Sequence, residues 1–82
     1  MNRKTQEEVI LIIQKALKLK SGALSTKSSS NDVKNWDSLG HLNILVALDS
    51  SFDGKISKIK EIATANSIKS IINLLNKNSF LK

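Results

Sequence analysis

The chain has 82 residues, a net charge of +6 and neither cysteine nor proline. A chain of this length forms one small domain with a thin core, and the lack of cysteine excludes a disulfide framework and a thiolate metal site. The apolar run at residues 9–13 is too short for a membrane span or a signal sequence. We therefore expect one cytoplasmic, monomeric domain over residues 1–82, with no membrane span.

Apolar residues recur at spacings of three and four, which indicates helices. The first predicted helix covers residues 5–19, and Thr5 followed by Glu8 fits a capping box at its start. Gln14 is expected on its solvent side with the charged residues. Its predicted core residues are Val9, Ile10, Ile13, Ala16 and Leu17.

A serine-rich connection at residues 20–36 follows, and such long loops in a compact domain are usually functional or disordered. Leu24, Val33 and Trp36 are the side chains expected to anchor it. The second helix is predicted from Ser38 or Leu39 to about Ser51, with Gly54 as its stop signal. Its expected buried residues are Leu39, Leu42, Leu45, Val46 and Phe52.

A short third helix is predicted over residues 58–63, with Ile59 and Ile62 facing inward. Asn66 or Ser67 would cap a fourth helix, whose predicted buried residues are Ile68, Ile71, Ile72 and Leu75. The pattern predicts an all-α fold: a small four-helix bundle of three longer helices and one short third helix, with a long loop between helices one and two.

Ser38 stands between Asp37 and Leu39 at the start of the second helix, and three interpretations fit this position. Asp37 or Ser38 can be an ordinary helix cap. Asp37, Ser38 and His41 are also near enough in sequence for a nucleophilic site, but one exposed turn offers no pocket or oxyanion site, so we expect no enzyme. Thirdly, the Ser38 hydroxyl can be an attachment point, because a helix N-terminus favours a phosphate.

The motif D-S-L at residues 37–39 is followed by L-x-I-L-V-A-L-D-x-x-F at residues 42–52 and by the closing segment N-S-I-K-S-I-I-N-L-L at residues 66–75. In these motifs and in helix order and loop length the chain resembles the acyl carrier proteins. The resemblance implies that Ser38 carries covalent 4′-phosphopantetheine, which makes the chain a phosphoprotein. The chain would then hold an acyl or aminoacyl group as a thioester without being an enzyme itself.

The resemblance also implies partners. Asp37 would help a phosphopantetheinyl transferase place its metal and coenzyme A, and Leu39 would enter a hydrophobic pocket of that transferase. Leu42 and Val46 would lie on the recognition surface or at the edge of the cargo cavity. An acyl- or aminoacyl-activating ligase would load the carrier, and an acyltransferase or synthase would unload it.

Three positions depart from the fatty-acid carriers that this chain resembles. Those carriers usually have acidic residues at the positions of Gly40 and Asn43, and the acidic end of their second helix is reduced here to Asp49. Such acids dock onto basic patches of synthase enzymes. We therefore expect weak docking there, and a dedicated pathway such as secondary metabolism, cell-surface saccharide synthesis or aminoacyl transfer rather than bulk fatty-acid synthesis.

The positive charge raises an alternative, a small basic DNA-binding or protein-interaction domain. The cations are scattered, and none lies between Lys34 and Lys55. A helix-turn-helix near residues 61–67 would have too short a turn, so we expect no nucleic-acid partner. The apolar face of the second helix would serve an interaction module.

Two aromatic side chains near Ser38 remain to be assigned. Trp36 would either stand beside a prosthetic arm or anchor the loop in the core. His41 is expected to face solvent in a loose pair with Asp37. We expect no metal ion held by the chain itself.

Overall fold

The computed structural model describes residues 3–81. In that part of the chain it has three α-helices, α1 (Gln6–Ala16), α2 (Ser38–Ser51) and α3 (Ile68–Lys77). Two 3-10 segments, Ile56–Lys58 and Lys60–Thr64, lie between α2 and α3. The all-α prediction is confirmed. The prediction of a four-helix bundle is wrong, because the short third helix is not α-helical.

The spacing of its apolar residues explains why this region adopts 3-10 geometry. Ile56, Ile59, Ile62 and Ala65 recur at every third position, and all four are buried. A 3-10 helix has three residues per turn and places such residues on one face, whereas an α-helix would rotate them away from each other. Ile59 and Ile62 therefore face inward as predicted, although the helix type differs.

Side-chain caps fix the starts of α1 and α3. The Glu8 N–H donates to Thr5 Oγ1 at 3.2 Å and the Thr5 N–H donates to Glu8 Oε1 at 3.1 Å, so the predicted capping box is confirmed. Ser67 caps α3 and forms the equivalent box with Ser70. These bonds satisfy N–H groups that have no partner within the helix.

α1 ends three residues earlier than predicted. Lys18 adopts a positive φ of 58°, which stops the helix, and the Leu19 N–H folds back to the Gln14 carbonyl at 3.0 Å. Gln14 is buried, so its predicted place on the solvent side is wrong. The turn after α1 packs back over this residue.

The core draws on every helical element and on the long loop. Leu24 and Trp36 are buried and Val33 packs against them, so these residues anchor the loop as predicted. Ile10 and Ala16 are only partly buried. The buried apolar side chains of the three α-helices and of the residues directly after α1 and α2 are Val9, Ile13, Leu17, Ile44, Leu48, Phe52, Ile68, Ile71, Ile72 and Leu75.

The predicted buried face of α2 is largely wrong. Leu39, Leu42 and Val46 are 66%, 54% and 61% exposed, and the buried positions of the helix are Gly40, Ile44 and Leu48. Nearly every side of α2 carries apolar residues, so hydrophobic periodicity does not distinguish the inner face from the outer one. We refer to Leu39, Leu42 and Val46 as the apolar stripe.

The long loop is tied to the start of α3. The Ser30 N–H donates to the Asn66 carbonyl at 2.8 Å, and the Ile68 N–H donates to the Ser28 carbonyl at 2.9 Å. These two bonds close a single antiparallel bridge between Ser29 and Ser67. They place the loop and the segment before α3 side by side, next to the start of α2.

Candidate functional site

Ser38 is the first residue of α2 and is exposed. Asp37 is the cap, since its Oδ1 accepts a hydrogen bond from the Gly40 N–H at 2.8 Å. No hydrogen bond from the rest of the described chain reaches the Ser38 hydroxyl. That hydroxyl is therefore free to react, at the helix end where N–H groups and the helix dipole favour negative charge.

Gly40 holds the start of α2 against the end of α1. A Cβ atom at this position would overlap the backbone oxygen of Asn35 and would come within 3.0 Å of Leu17 Cδ2. Asn35 in turn donates from Nδ2 to the Leu17 carbonyl at 3.0 Å. Gly40 is buried in this contact, and its assignment to a partner-recognition surface stays a prediction.

Trp36 and His41 form a hydrogen-bonded chain beside Ser38. The indole Nε1–H, which can only donate, points to His41 Nδ1 at 3.0 Å. Nδ1 therefore accepts, and the hydrogen of the neutral ring lies on Nε2, 2.9 Å from the carbonyl oxygen of Ile62. The two rings are stacked, with centroids 6.2 Å apart. His41 thus links the loop, α2 and the second 3-10 segment.

These bonds correct the prediction made for His41 and answer the question left open for Trp36. His41 is half-buried and bonded at both ring nitrogens, so it is not a solvent-facing partner of Asp37. Trp36 is 4% exposed and anchors the loop in the core. A buried indole N–H requires an acceptor, and His41 supplies it.

The arrangement offers no general base for Ser38. Both nitrogens of His41 are occupied by Trp36 and Ile62, and the Asp37 carboxylate is turned to the Gly40 N–H. Over residues 3–81 no three histidine, aspartate or glutamate side chains lie close enough together to hold a metal ion. No helix in the same range is long and apolar enough to cross a bilayer.

A shallow groove of about 430 Å³, which we call the Ser38 groove, opens at the serine. It runs between the start of α2 and the segment that leads into α3. Its lining residues are Ser30, Trp36, Asp37, Ser38, His41, Ala63, Thr64, Ala65 and Asn66. A group attached to Ser38 would have protein on two sides along this groove.

A second cavity of about 260 Å³, the apolar groove, lies between α2 and the 3-10 segments. Ala63 lines both grooves, so the two adjoin. The residues of the apolar groove are Leu45, Val46, Asp49, Ile56, Ser57, Ile59, Lys60, Ile62 and Ala63. A flexible chain that starts at Ser38 would reach this apolar lining by passing Ala63.

Asp49 holds the far wall of the apolar groove. Its Oδ1 accepts hydrogen bonds from the Ile56 N–H at 3.1 Å and from the Ser57 N–H at 3.2 Å. Its backbone oxygen accepts from Gly54, 2.7 Å away, whose φ of 77° turns the chain after α2. The carboxylate predicted to recognise a partner is therefore engaged within the fold.

Asp49→Ala should loosen that wall, because two backbone N–H groups lose a charged acceptor. We expect a loss of about 1–2 kcal/mol in the free energy of unfolding and faster hydrogen exchange at Ile56 and Ser57. Asp49→Asn, which keeps an acceptor oxygen, is the matched control and should retain most of the protection at both amides. Equal protection in the alanine variant and in the unmodified chain would contradict this role.

The surface beside Ser38 has features that the sequence did not predict. Lys18 and Lys34, far apart in sequence, line one shallow groove with Leu39 and Asn43; its volume is about 440 Å³, and we call it the lysine groove. Asn43 is exposed there as predicted. Their neighbours Leu17 and Asn35 are joined by the hydrogen bond from Asn35 Nδ2 to the Leu17 carbonyl, a long-range contact that no local pattern in the sequence would have identified.

Comparisons of this chain with protein-family models, with curated proteins and with solved structures each find no match. The function therefore has to be inferred from the geometry of the site. Its elements are an exposed serine at a capped helix start, two adjoining grooves, and an apolar stripe with lysines beside it.

Proposed function

We propose that this protein is a carrier that holds an acyl or aminoacyl group as a thioester on 4′-phosphopantetheine attached to Ser38. It acts as a handle and is not an enzyme. One observation carries the proposal: the Ser38 hydroxyl is exposed and unbonded at the first position of α2, while Asp37 already caps the helix. Because Asp37 supplies the cap, Ser38 is not needed to start the helix.

The residues around Ser38 fit a phosphodiester-linked arm. The start of α2 stabilises a phosphate through its dipole and free N–H groups. The Ser38 groove gives the arm a path past Trp36 and His41, and the adjoining apolar groove offers lining for a hydrocarbon cargo. The thiol that bears the cargo belongs to the prosthetic group, and the chain supplies attachment, shelter and presentation.

The proposed partners approach from the exposed side of α2. A phosphopantetheinyl transferase with coenzyme A would modify Ser38, with Asp37 helping to place the metal and coenzyme A and Leu39 entering a pocket of that enzyme. A ligase would load the carrier, and an acyltransferase or synthase would unload it. Leu39 and Leu42 are available for such contacts because both side chains are exposed.

The local structure weighs against the helix-turn-helix alternative. The segment before α3 is a five-residue 3-10 helix, Lys60–Thr64, which is too short to serve as the first helix of such a motif. The protein-interaction alternative would use the apolar stripe, and it differs from the carrier proposal in requiring no modification of Ser38.

The test is the intact mass after incubation with coenzyme A and a broad-specificity transferase. Ser38 Oγ would bond to phosphorus as the pyrophosphate bond of coenzyme A breaks, with adenosine 3′,5′-bisphosphate leaving and the hydroxyl proton released. We expect one phosphopantetheine to be added to the unmodified chain and none to Ser38→Ala. The alanine variant should remain folded because the Asp37 cap is intact.

Ser50→Ala is the matched control, since Ser50 is an exposed serine on the same helix, and this variant should be modified like the parent chain. Modification of the Ser38→Ala variant, or of a different serine, would refute the assignment. If the parent chain is not modified either, the protein-interaction alternative becomes the better-supported function.

A further inference from the structure

The apolar stripe is the part of α2 that a partner would meet. Leu39, Leu42 and Val46 lie at positions i, i+3 and i+7, so they share one helix face, and more than half of each side chain is exposed. Three large apolar side chains on one exposed face mark a contact surface. A helix that presents such a face typically docks into a complementary groove.

Lysines border this stripe on both sides. Lys18 and Lys34 lie in the lysine groove with Leu39, and Lys60 lies in the apolar groove with Val46. All three lysines are exposed. Between residues 3 and 81, no carboxylate forms an ion pair with any of them. The absence of cations from residues 35–54 of the sequence therefore does not produce a cation-free surface around α2.

The acidic groups nearest the stripe are engaged within the fold. Asp37 accepts from the Gly40 N–H, and Asp49 accepts from the Ile56 and Ser57 N–H groups. Asp37 also lines the lysine groove and Asp49 the apolar groove, so the two grooves together hold three lysines and two carboxylates. Both carboxylates already accept backbone hydrogen bonds, whereas the three lysine side chains have no partner within residues 3–81 and are free to pair with an acidic group of an approaching molecule.

We propose that the partner of this carrier docks through an apolar surface bordered by aspartate and glutamate side chains. The proposal rests on the proposed function and specifies its partner. It reverses the charge pattern of an acidic carrier on a basic enzyme patch. A protein fits better than a lipid surface, because the lysines flank one helix face, whereas an anionic membrane would also attract the lysines of α3.

The probe is a designed amphipathic helical peptide of leucine and glutamate, added to isotopically labelled apo-protein and followed by NMR. Its counterpart has lysine in place of every glutamate. We expect the acidic peptide to shift the amide signals of Leu39, Leu42 and Val46, and salt to weaken the binding. The basic peptide should bind at least tenfold more weakly.

Three double variants show which lysines contribute to binding of the acidic peptide. Lys18→Glu with Lys34→Glu should weaken binding of the acidic peptide about tenfold, and the same positions changed to Gln should give an intermediate loss. Lys69→Glu with Lys77→Glu makes the same change in net charge on α3 and should leave binding within about twofold. Circular dichroism would confirm that each variant is folded.

Several outcomes would overturn the proposal: equal binding of the basic peptide, no binding of either peptide, or equal losses from the two pairs of glutamate variants. If phosphatidylglycerol vesicles shift the same amide signals more strongly than the acidic peptide does, the partner is an anionic lipid surface and not an acidic protein. The apo-protein is used throughout, so these results are independent of the mass test. If Ser38 is not modified but the acidic peptide binds, the carrier function fails while the docking surface remains.

Discussion

Gly40→Ala should lower the free energy of unfolding by about 3 kcal/mol, although alanine is the better helix former by about 1 kcal/mol. The added Cβ would overlap the backbone oxygen of Asn35 and press on Leu17 Cδ2. The oxygen belongs to the main chain and cannot rotate away, so the start of α2 would have to move. Overpacking of this kind costs about 1–3 kcal/mol or more. Urea unfolding followed by circular dichroism would measure the loss.

Gly54→Ala is the matched control, because Gly54 has a φ of 77° but no atom within 4 Å of a built Cβ. Its cost should be only the strain of a positive φ, about 1–2 kcal/mol. If Gly40→Ala proves neutral or stabilising, the close approach to Asn35 is not present in solution. A carrier made acidic by Gly40→Asp should unfold for the same reason, so a charge test on this face has to use Asn43→Glu alone.

The helix starts could be predicted because their signals are local. Thr5 with Glu8 and Ser67 with Ser70 satisfy N–H groups within one turn, and both pairs form their capping boxes. The inward face of α3 also followed from the sequence, since Ile68, Ile71, Ile72 and Leu75 recur at spacings of three and four. Local structure that depends on only a few neighbouring residues can be predicted from the sequence of those residues.

The register of α2 could not be predicted from its hydrophobic pattern. Apolar residues surround this helix, and the inner face is decided by Gly40, the one position that tolerates contact with the Asn35 backbone. That contact joins residues from the long loop and α1, which sequence spacing does not reveal. Three of the five residues predicted to be buried, Leu39, Leu42 and Val46, therefore form the exposed stripe.

The charge around the candidate site could not be predicted from the sequence either. In the sequence, the segment between Lys34 and Lys55 that contains Ser38 has no lysine or arginine. Folding brings Lys18 and Lys34 to the edge of this segment, and the carboxylate of the cap residue Asp37 is engaged with the Gly40 N–H. The D-S-L motif identifies Ser38 as the candidate residue, and its role stays a prediction, whereas its electrostatic surroundings depend on long-range packing.

His41→Leu should cost about 1–3 kcal/mol, because the buried indole N–H of Trp36 loses its acceptor. The Ile62 carbonyl loses the His41 donor and keeps the hydrogen bond from the Ala65 N–H at 3.3 Å. The second 3-10 segment would also lose its bond to α2. Faster hydrogen exchange over residues 63–66, the wall of the Ser38 groove, should accompany the loss of stability.

A double-mutant cycle with Trp36→Phe separates the hydrogen bond from the packing of the rings. Phenylalanine keeps an aromatic ring but has no N–H, so His41→Leu should cost about 1 kcal/mol less in that background. Circular dichroism is the appropriate probe, because Trp36 is the only tryptophan. Strictly additive losses would mean that the Trp36–His41 bond contributes nothing. If the coupling is present, the residues flanking Ser38 are held by a chain of bonds from the loop through α2 to the 3-10 segment. In that case the His41→Leu variant should also accept phosphopantetheine more slowly than the parent chain.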